Sequence, residues 1–131
     1  MKKVYELYIY SDIGEKFFIG IFESHKEAKQ VANLYLSTVM GFKDYPCKYH
    51  IVTGTIIGTM EGTRTLTRIC AWNTDVDFNE IDEWQSEWYV KREDVKVEYI
   101  NKKKDMKREQ WSMDTYEIGK CEWTEGFIRV G

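Results

Sequence analysis

Three kinds of residue in this 131-residue chain could do chemistry: its cysteines and histidines, its carboxylates, and its basic side chains. Cys47-x-x-His50, with Cys70 and Cys121, makes a formal Cys3His set of the type that holds zinc. Structural zinc sites bring two such short pairs, each on a tight turn. Cys70 and Cys121 are instead lone residues in strand-like sequence, so small buried apolar thiols are expected and no metal. A nucleophile pair drawn from Cys47 or Cys70 with His25 or His50 lacks a neighbouring Asp or Asn to orient the imidazole. Carboxylates are plentiful, but no pair of them is set apart for acid–base work. Gly54, Gly58 and Gly62 fall four apart in strand-like sequence, not on a strand-to-helix turn, which excludes a P-loop or Rossmann phosphate cradle. These patterns supply no catalytic residue and no cofactor.

Two segments carry the chemistry of binding. Asp75 to Asp94 holds eight acidic residues against Lys91 and Arg92. Within it Ile81, Trp84 and Trp88 fall at i, i+3 and i+7, which predicts a helix over about 79–90 with an indole stripe bordered by Glu80, Asp82, Glu83 and Glu87. Indoles are enriched at binding hot spots, and an acidic rim steers a basic protein partner. The competing reading packs both indoles onto a sheet. Asn101 to Arg108 carries five basic residues in eight. Arg64, Arg68, Lys102, Lys103, Lys104 and Arg108 are candidates to hold the phosphate of a nucleotide stacked on an aromatic ring, in a pocket at a homo-oligomer interface. The basic run lacks interleaved aromatics until Trp111, and the chain's net charge is −3, so nucleic acid is not an expected partner.

The elements that must position these residues follow from periodicity. Residues 4–10 alternate as a strand, Ser11 to Glu15 reads as a hairpin turn, and Lys16 to Phe22 is apolar on both faces, as a covered central strand is. Gly20 within it suits a close approach by a neighbouring backbone. Ser24 and Glu27 form a capping box, and Ala28, Val31, Ala32, Tyr35 and Val39 make one stripe of a helix over 25–39, ended by Gly41 in a left-handed conformation. Residues 49–60 and 63–72 are expected to form a hairpin around Glu61-Gly62, with a Thr-rich, Arg-bearing tip. Val95 to Ile100 alternates as a strand, and 101–108 reads as a solvated loop or helix start. Tyr116 to Trp123 and Phe127 to Val130 are expected to be closing strands.

Glu15 to Ala32 (EKFFIGIFESHKEAKQVA), Gly41 to Ile51 (GFKDYPCKYHI) and Tyr116 to Phe127 (YEIGKCEWTEGF) together resemble a small bacterial and phage family of unknown function. Its members run strand, Ile-Gly-Val-Tyr-Ser-like strand, Glu-Ala-bearing helix, Gly-Phe-x-Asp-x-Pro loop and a closing Trp-x-Glu-Gly-Phe. The resemblance covers about a third of the chain and implies a family-like core at 1–58 and 114–131, with about fifty residues, 59–113, inserted. It carries no catalytic role over.

The expected fold is α+β in a single domain, 1–131: an antiparallel sheet of about five to six strands, the 25–39 helix packed on it, and a second helix near 79–90. Five Trp, nine Tyr and six Phe provide the apolar area for such a core. An odd number of cysteines without CxxC suits a reducing compartment, and the opening residues lack the apolar run of a signal peptide, so a cytoplasmic protein is expected. No stretch approaches a membrane span. The function expected is non-catalytic binding or inhibition, of the immunity or phage counter-defence (anti-CRISPR-like) kind, through the acidic Trp-bearing face. A nucleotide-sequestering protein is the alternative, and a small enzyme comes third.

Overall fold

The alternation at residues 4–10 becomes β1 (Lys3–Tyr10) in the computed structural model, which describes residues 3–129. β2 (Lys16–Phe22) pairs with it antiparallel, Tyr5 opposite Phe22 and Ile9 opposite Phe17, with a bulge between Leu7 and Tyr8. The turn between them is closed by the Ser11 N–H donating to the Glu15 carbonyl at 2.9 Å. Leu7, Ile9, Ile19 and Ile21 are fully buried, as the two-faced apolar run of β2 requires.

α1 (His25–Thr38) starts where the capping signal lies, the Ser24 side chain accepting from the Glu27 N–H at 3.1 Å. Ala28, Ala32 and Tyr35 are its buried face, and the chain leaves through Gly41 at φ 85°. These residues close on Leu7, Ile9, Phe17, Ile19, Phe22 and Phe42 in one core. β3 (Lys48–Ile57) follows and neighbours β1 in the sheet.

The chain divides into two compact units: residues 3–54 with 117–129, and Thr55–Tyr116. The last stretch of the first unit corrects the expectation of strands at 116–123 and 127–130. It is irregular from 118 to 129, with Val130 outside the described residues. Gly119 and Gly126, at φ 87° and 75°, turn the chain where a strand would have to run straight. The segment is nevertheless tied down, Gly119 N–H to the Ile21 carbonyl at 2.7 Å and Glu122 N–H to Ile19 at 2.8 Å. Gly20 leaves the space that this approach needs, because a Cβ there would sit 2.5 Å from the Lys120 carbonyl oxygen.

The second unit contains β4 (Thr65–Thr74), β5 (Glu80–Gln85), β6 (Trp88–Tyr89), α2 (Arg92–Lys103) and β7 (Glu109–Glu117). The hairpin expected between 49–60 and 63–72 does not form. β6 lies between its two arms, with Ile56 opposite Trp88 in a parallel pairing and Thr67 opposite Tyr89 in an antiparallel one. β5 pairs antiparallel with β4, Ala71 opposite Trp84, and β7 also pairs with β4.

The helix expected near 79–90 is therefore two short strands. Trp84 and Trp88 satisfy a helical i, i+4 spacing, but each lies in a strand: Trp84, opposite Ala71, packs on the α2 side of β4, and Trp88, whose neighbour Tyr89 stands opposite Thr67, turns to the other face beside Arg68. The second helix lies instead over residues 92–103, correcting the strand expected at 95–100. Val95 and Tyr99 are buried one helical turn apart, Val97 faces outward, and Glu93 with Asp94 at the N-terminus and Lys102 with Lys103 at the C-terminus suit the helix dipole. α2 covers Ile69 and Ala71 of β4, with Trp84, Tyr89, Met106 and Met113 around them. Two helices among the described residues and a mixed, mostly antiparallel set of strands make the α+β class expected from the sequence.

Candidate functional site

β5 and the chain that leaves α2 frame two hollows that share Asn73 and Asp105. The smaller, of about 200 Å³, is lined by Asp82, Glu83, Trp84, Lys102 and Met106 besides those two. β5 supplies a carboxylate and the indole on one face because it pairs with β4 in register, Asn73 opposite Asp82 and Ala71 opposite Trp84. The C-terminal turn of α2 supplies Lys102. Two carboxylates, Asp82 and Asp105, stand against one ammonium group, while strand alternation turns the Glu83 side chain to the other face of β5, where it accepts from the Gln85 amide at 3.2 Å. A cationic group is therefore favoured in this hollow, and the indole of Trp84 adds a π face suited to it.

The larger hollow, of about 390 Å³, is lined by Thr74, Asp75, Val76, Ile81, Lys107 and Arg108 as well as the shared pair. The turn from β4 to β5 stands beside it. Asp75 Oδ1 accepts from the Asp77 and Asn79 N–H groups at 2.8 and 2.9 Å. These bonds, the one from Asn79 foremost, hold the Asp75 carboxyl below the ordinary carboxylate range. The turn puts Phe78 at φ 64°, a left-handed conformation uncommon for an aromatic residue, with the residue 70% exposed. Val76, Phe78 and Ile81 make an apolar tip that sequence reasoning missed. The bracketing Asp75 and Asn79, both turn formers, were the signal that could have shown it.

The structure thus brings Asp82, Glu83 and Trp84 together with Lys102, from both candidate sets, and sets Arg108 in the adjoining hollow. Glu80 and Glu87 are exposed, at the start of β5 and between β5 and β6. Lys103 and Lys104 are exposed at the end of α2, and Arg64 is exposed just before β4. Two assignments are corrected. Trp88 is 1% exposed and offers a partner no surface; Arg68, expected on an exposed tip, is buried with its guanidinium 4.3 Å above the Trp88 ring. Both are consumed by packing, because β6 places Trp88 between β3 and β4.

Beneath the site, the Tyr99 hydroxyl donates to Glu109 Oε2 at 2.7 Å. Burial, with the Glu109 carboxylate adding to it, pushes the Tyr99 phenol up to about 12. A phenol whose folded value lies above its ordinary 10 contributes stability that is complete below pH 10 and is lost as pH rises toward 12. Thermal melts across that window should fall more steeply for the wild type than for Tyr99→Phe. Equal slopes would show that this phenol is not linked to folding. Glu98, bonded by the Tyr89 hydroxyl, is raised by burial, with the Glu87 carboxylate contributing.

In the first unit, Cys47 lines a hollow of about 350 Å³ with Tyr10, Ser11, Asp12, Pro46 and Lys48. Burial, and then the Asp12 carboxylate, push its thiol up, which makes it a poor nucleophile. His50 meets the Tyr10 ring edge-on and His25 meets Tyr5, so both imidazoles are engaged in ring contacts. None of the three cysteines is in a disulfide. Among the described residues, no three His, Cys, Asp or Glu side chains gather as a metal site would need, and no helix is long and apolar enough to cross a membrane. Comparison with known protein families, curated proteins and solved structures finds no match to this chain.

Proposed function

We propose that this is a non-catalytic binding protein whose small acidic hollow seats a lysine or arginine side chain of a basic protein partner. The observation that carries the reading is the convergence of Asp82, Asp105 and the Trp84 indole on about 200 Å³, with one cation, Lys102, in the lining. Small-molecule pockets run from about 300 to 1,000 Å³, so this volume suits one long side chain better than a nucleotide. Glu80 and Glu87 extend the same sign of charge along the face and would speed the encounter. The nucleotide reading rests on Lys107 and Arg108 in the larger hollow, where Asp75 and Asp105 offset them charge for charge. A small acidic protein that covers a basic surface acts most simply as an inhibitor or immunity factor against a nucleic-acid-handling enzyme.

The test is calorimetric titration with Arg- and Lys-containing peptides, acidic peptides and ATP, on the wild type and the Asp82→Asn, Asp105→Asn double variant. The wild type should prefer the basic peptides, and the double variant should bind them about ten- to a hundredfold more weakly, the range for losing charged hydrogen bonds. Equal binding by both proteins, or a preference for ATP, would overturn the reading.

A further inference from the structure

The outer face of α2 is unaccounted for by the acidic hollow. Glu93, Val97, Ile100 and Lys104 recur at i, i+4, i+7 and i+11, which is one straight stripe on a helix. It lies opposite the buried Val95 and Tyr99, and its two aliphatic side chains are 60% and 51% exposed. Lys104 keeps helical dihedral angles, φ −60° and ψ −26°, so the stripe runs unbroken to its last member.

We infer that this stripe is a self-association surface, on which a second copy of the chain lays its own α2 antiparallel. A two-fold axis between Val97 and Ile100 sets Val97 against the partner's Ile100, Glu93 against the partner's Lys104, and Lys104 against the partner's Glu93. An isologous contact needs a surface complementary to itself. This one is, because the helix is acidic in its first turn and basic in its last. The antiparallel arrangement also opposes the two helix dipoles. A parallel arrangement would set like charges together and is disfavoured. Pairing of two copies through β5 is disfavoured because Glu80, Asp82 and Glu83 give that strand one sign of charge. Two helices of this length bury less than the roughly 1,200 Å² of a standard interface, so the dimer is weak and reversible. It uses none of the residues lining the acidic hollow.

Sedimentation velocity of the intact protein tests the proposal from about 10 µM to about 1 mM, the range in which weak dimers assemble. The expected result is a reversible monomer–dimer equilibrium that Val97→Glu with Ile100→Glu abolishes while circular dichroism stays unchanged. Glu93→Lys and Lys104→Glu, each reversing two surface ion pairs per dimer, should separately weaken association about five- to thirtyfold. An equimolar mixture of those two variants should recover wild-type association, because the mixed dimer restores both pairs. A monomer at every concentration, a dimer indifferent to the double glutamate variant, or a mixture no better than its components would overturn the proposal.

Discussion

Replacing Trp88 by alanine is expected to lower the unfolding free energy of the second unit by about 3 to 5 kcal/mol, the range for deleting a large buried aromatic. The indole is 1% exposed, sits on β6 with Ile56 and Thr67–Tyr89 pairings to either side, and meets the Tyr116 ring edge-on at 5.9 Å. Truncation leaves a void that the flanking strands cannot close without losing their register. It also strips the buried Arg68 guanidinium of the ring it lies over, a contact worth about 2 kcal/mol or more when desolvated. Urea denaturation should show a lower midpoint with an unchanged slope. Trp84→Ala, at a half-buried edge position, should cost only about 1 to 2 kcal/mol, since much of its ring already meets water. The indole Nε1 of Trp88 is buried with no hydrogen-bond acceptor among the described residues. Trp88→Phe deletes that donor along with part of the ring, so it should cost distinctly less than Trp88→Ala. A Trp88→Ala protein no easier to unfold than Trp84→Ala would refute the assignment of Trp88 to the core.

The second large effect is expected at Gly126. Its φ of 75° favours glycine, and a Cβ there would lie 2.2 Å from the Met40 carbonyl oxygen. That oxygen accepts the Phe127 N–H at 3.1 Å, so the close approach is also the bond that docks the segment. Phe127 stacks on Phe17 at 4.7 Å between centroids and meets Phe42 edge-on at 5.0 Å. Gly126→Ala therefore combines left-handed strain, one lost hydrogen bond and displacement of a core ring, a loss of about 3 kcal/mol or more. Gly62→Ala isolates the first of these. Gly62 also has a positive φ, 69°, but nothing lies within 4 Å of its Cβ position, so only the conformational cost of about 1 kcal/mol should appear. Denaturation of the two variants side by side separates the clash from the backbone strain. Equal losses would mean that the Met40 contact does not constrain the first unit.

These two sites also mark where local sequence ceases to decide structure. In the first unit the patterns are one-sided. Ser24 and Glu27 cap only a helix, Ala28, Ala32 and Tyr35 fit only a 3.6-residue period, and residues 4–10 carry the β-rich run of Val, Tyr and Ile that suits a strand. In the second unit the same residues satisfy both periods. Trp84 and Trp88 are one helical turn apart and also share strand parity. Val95, Val97 and Tyr99 alternate, yet Val95 and Tyr99 are also a helical i, i+4 pair. β4 settles the matter, because its Cys70 to Thr74 backbone finds its partner in β5 and leaves α2 to cover Ile69 and Ala71.

The candidate site divides along the same line. Local composition and spacing were enough to single out the carboxylates of β5, the indole of Trp84 and the lysines that end α2, because residue type is a local property. The α+β class and the helix at 25–39 were equally legible, since burying one face of a periodic segment needs no knowledge of its neighbours. Only the tertiary structure decided that Trp84 faces a hollow while Trp88 is sealed in the core. It alone set Lys102 and Asp105 across from Asp82, about twenty residues away. The physical reason is strand pairing: hydrogen bonding between backbones distant in sequence chooses among conformations that side-chain periodicity leaves equally good.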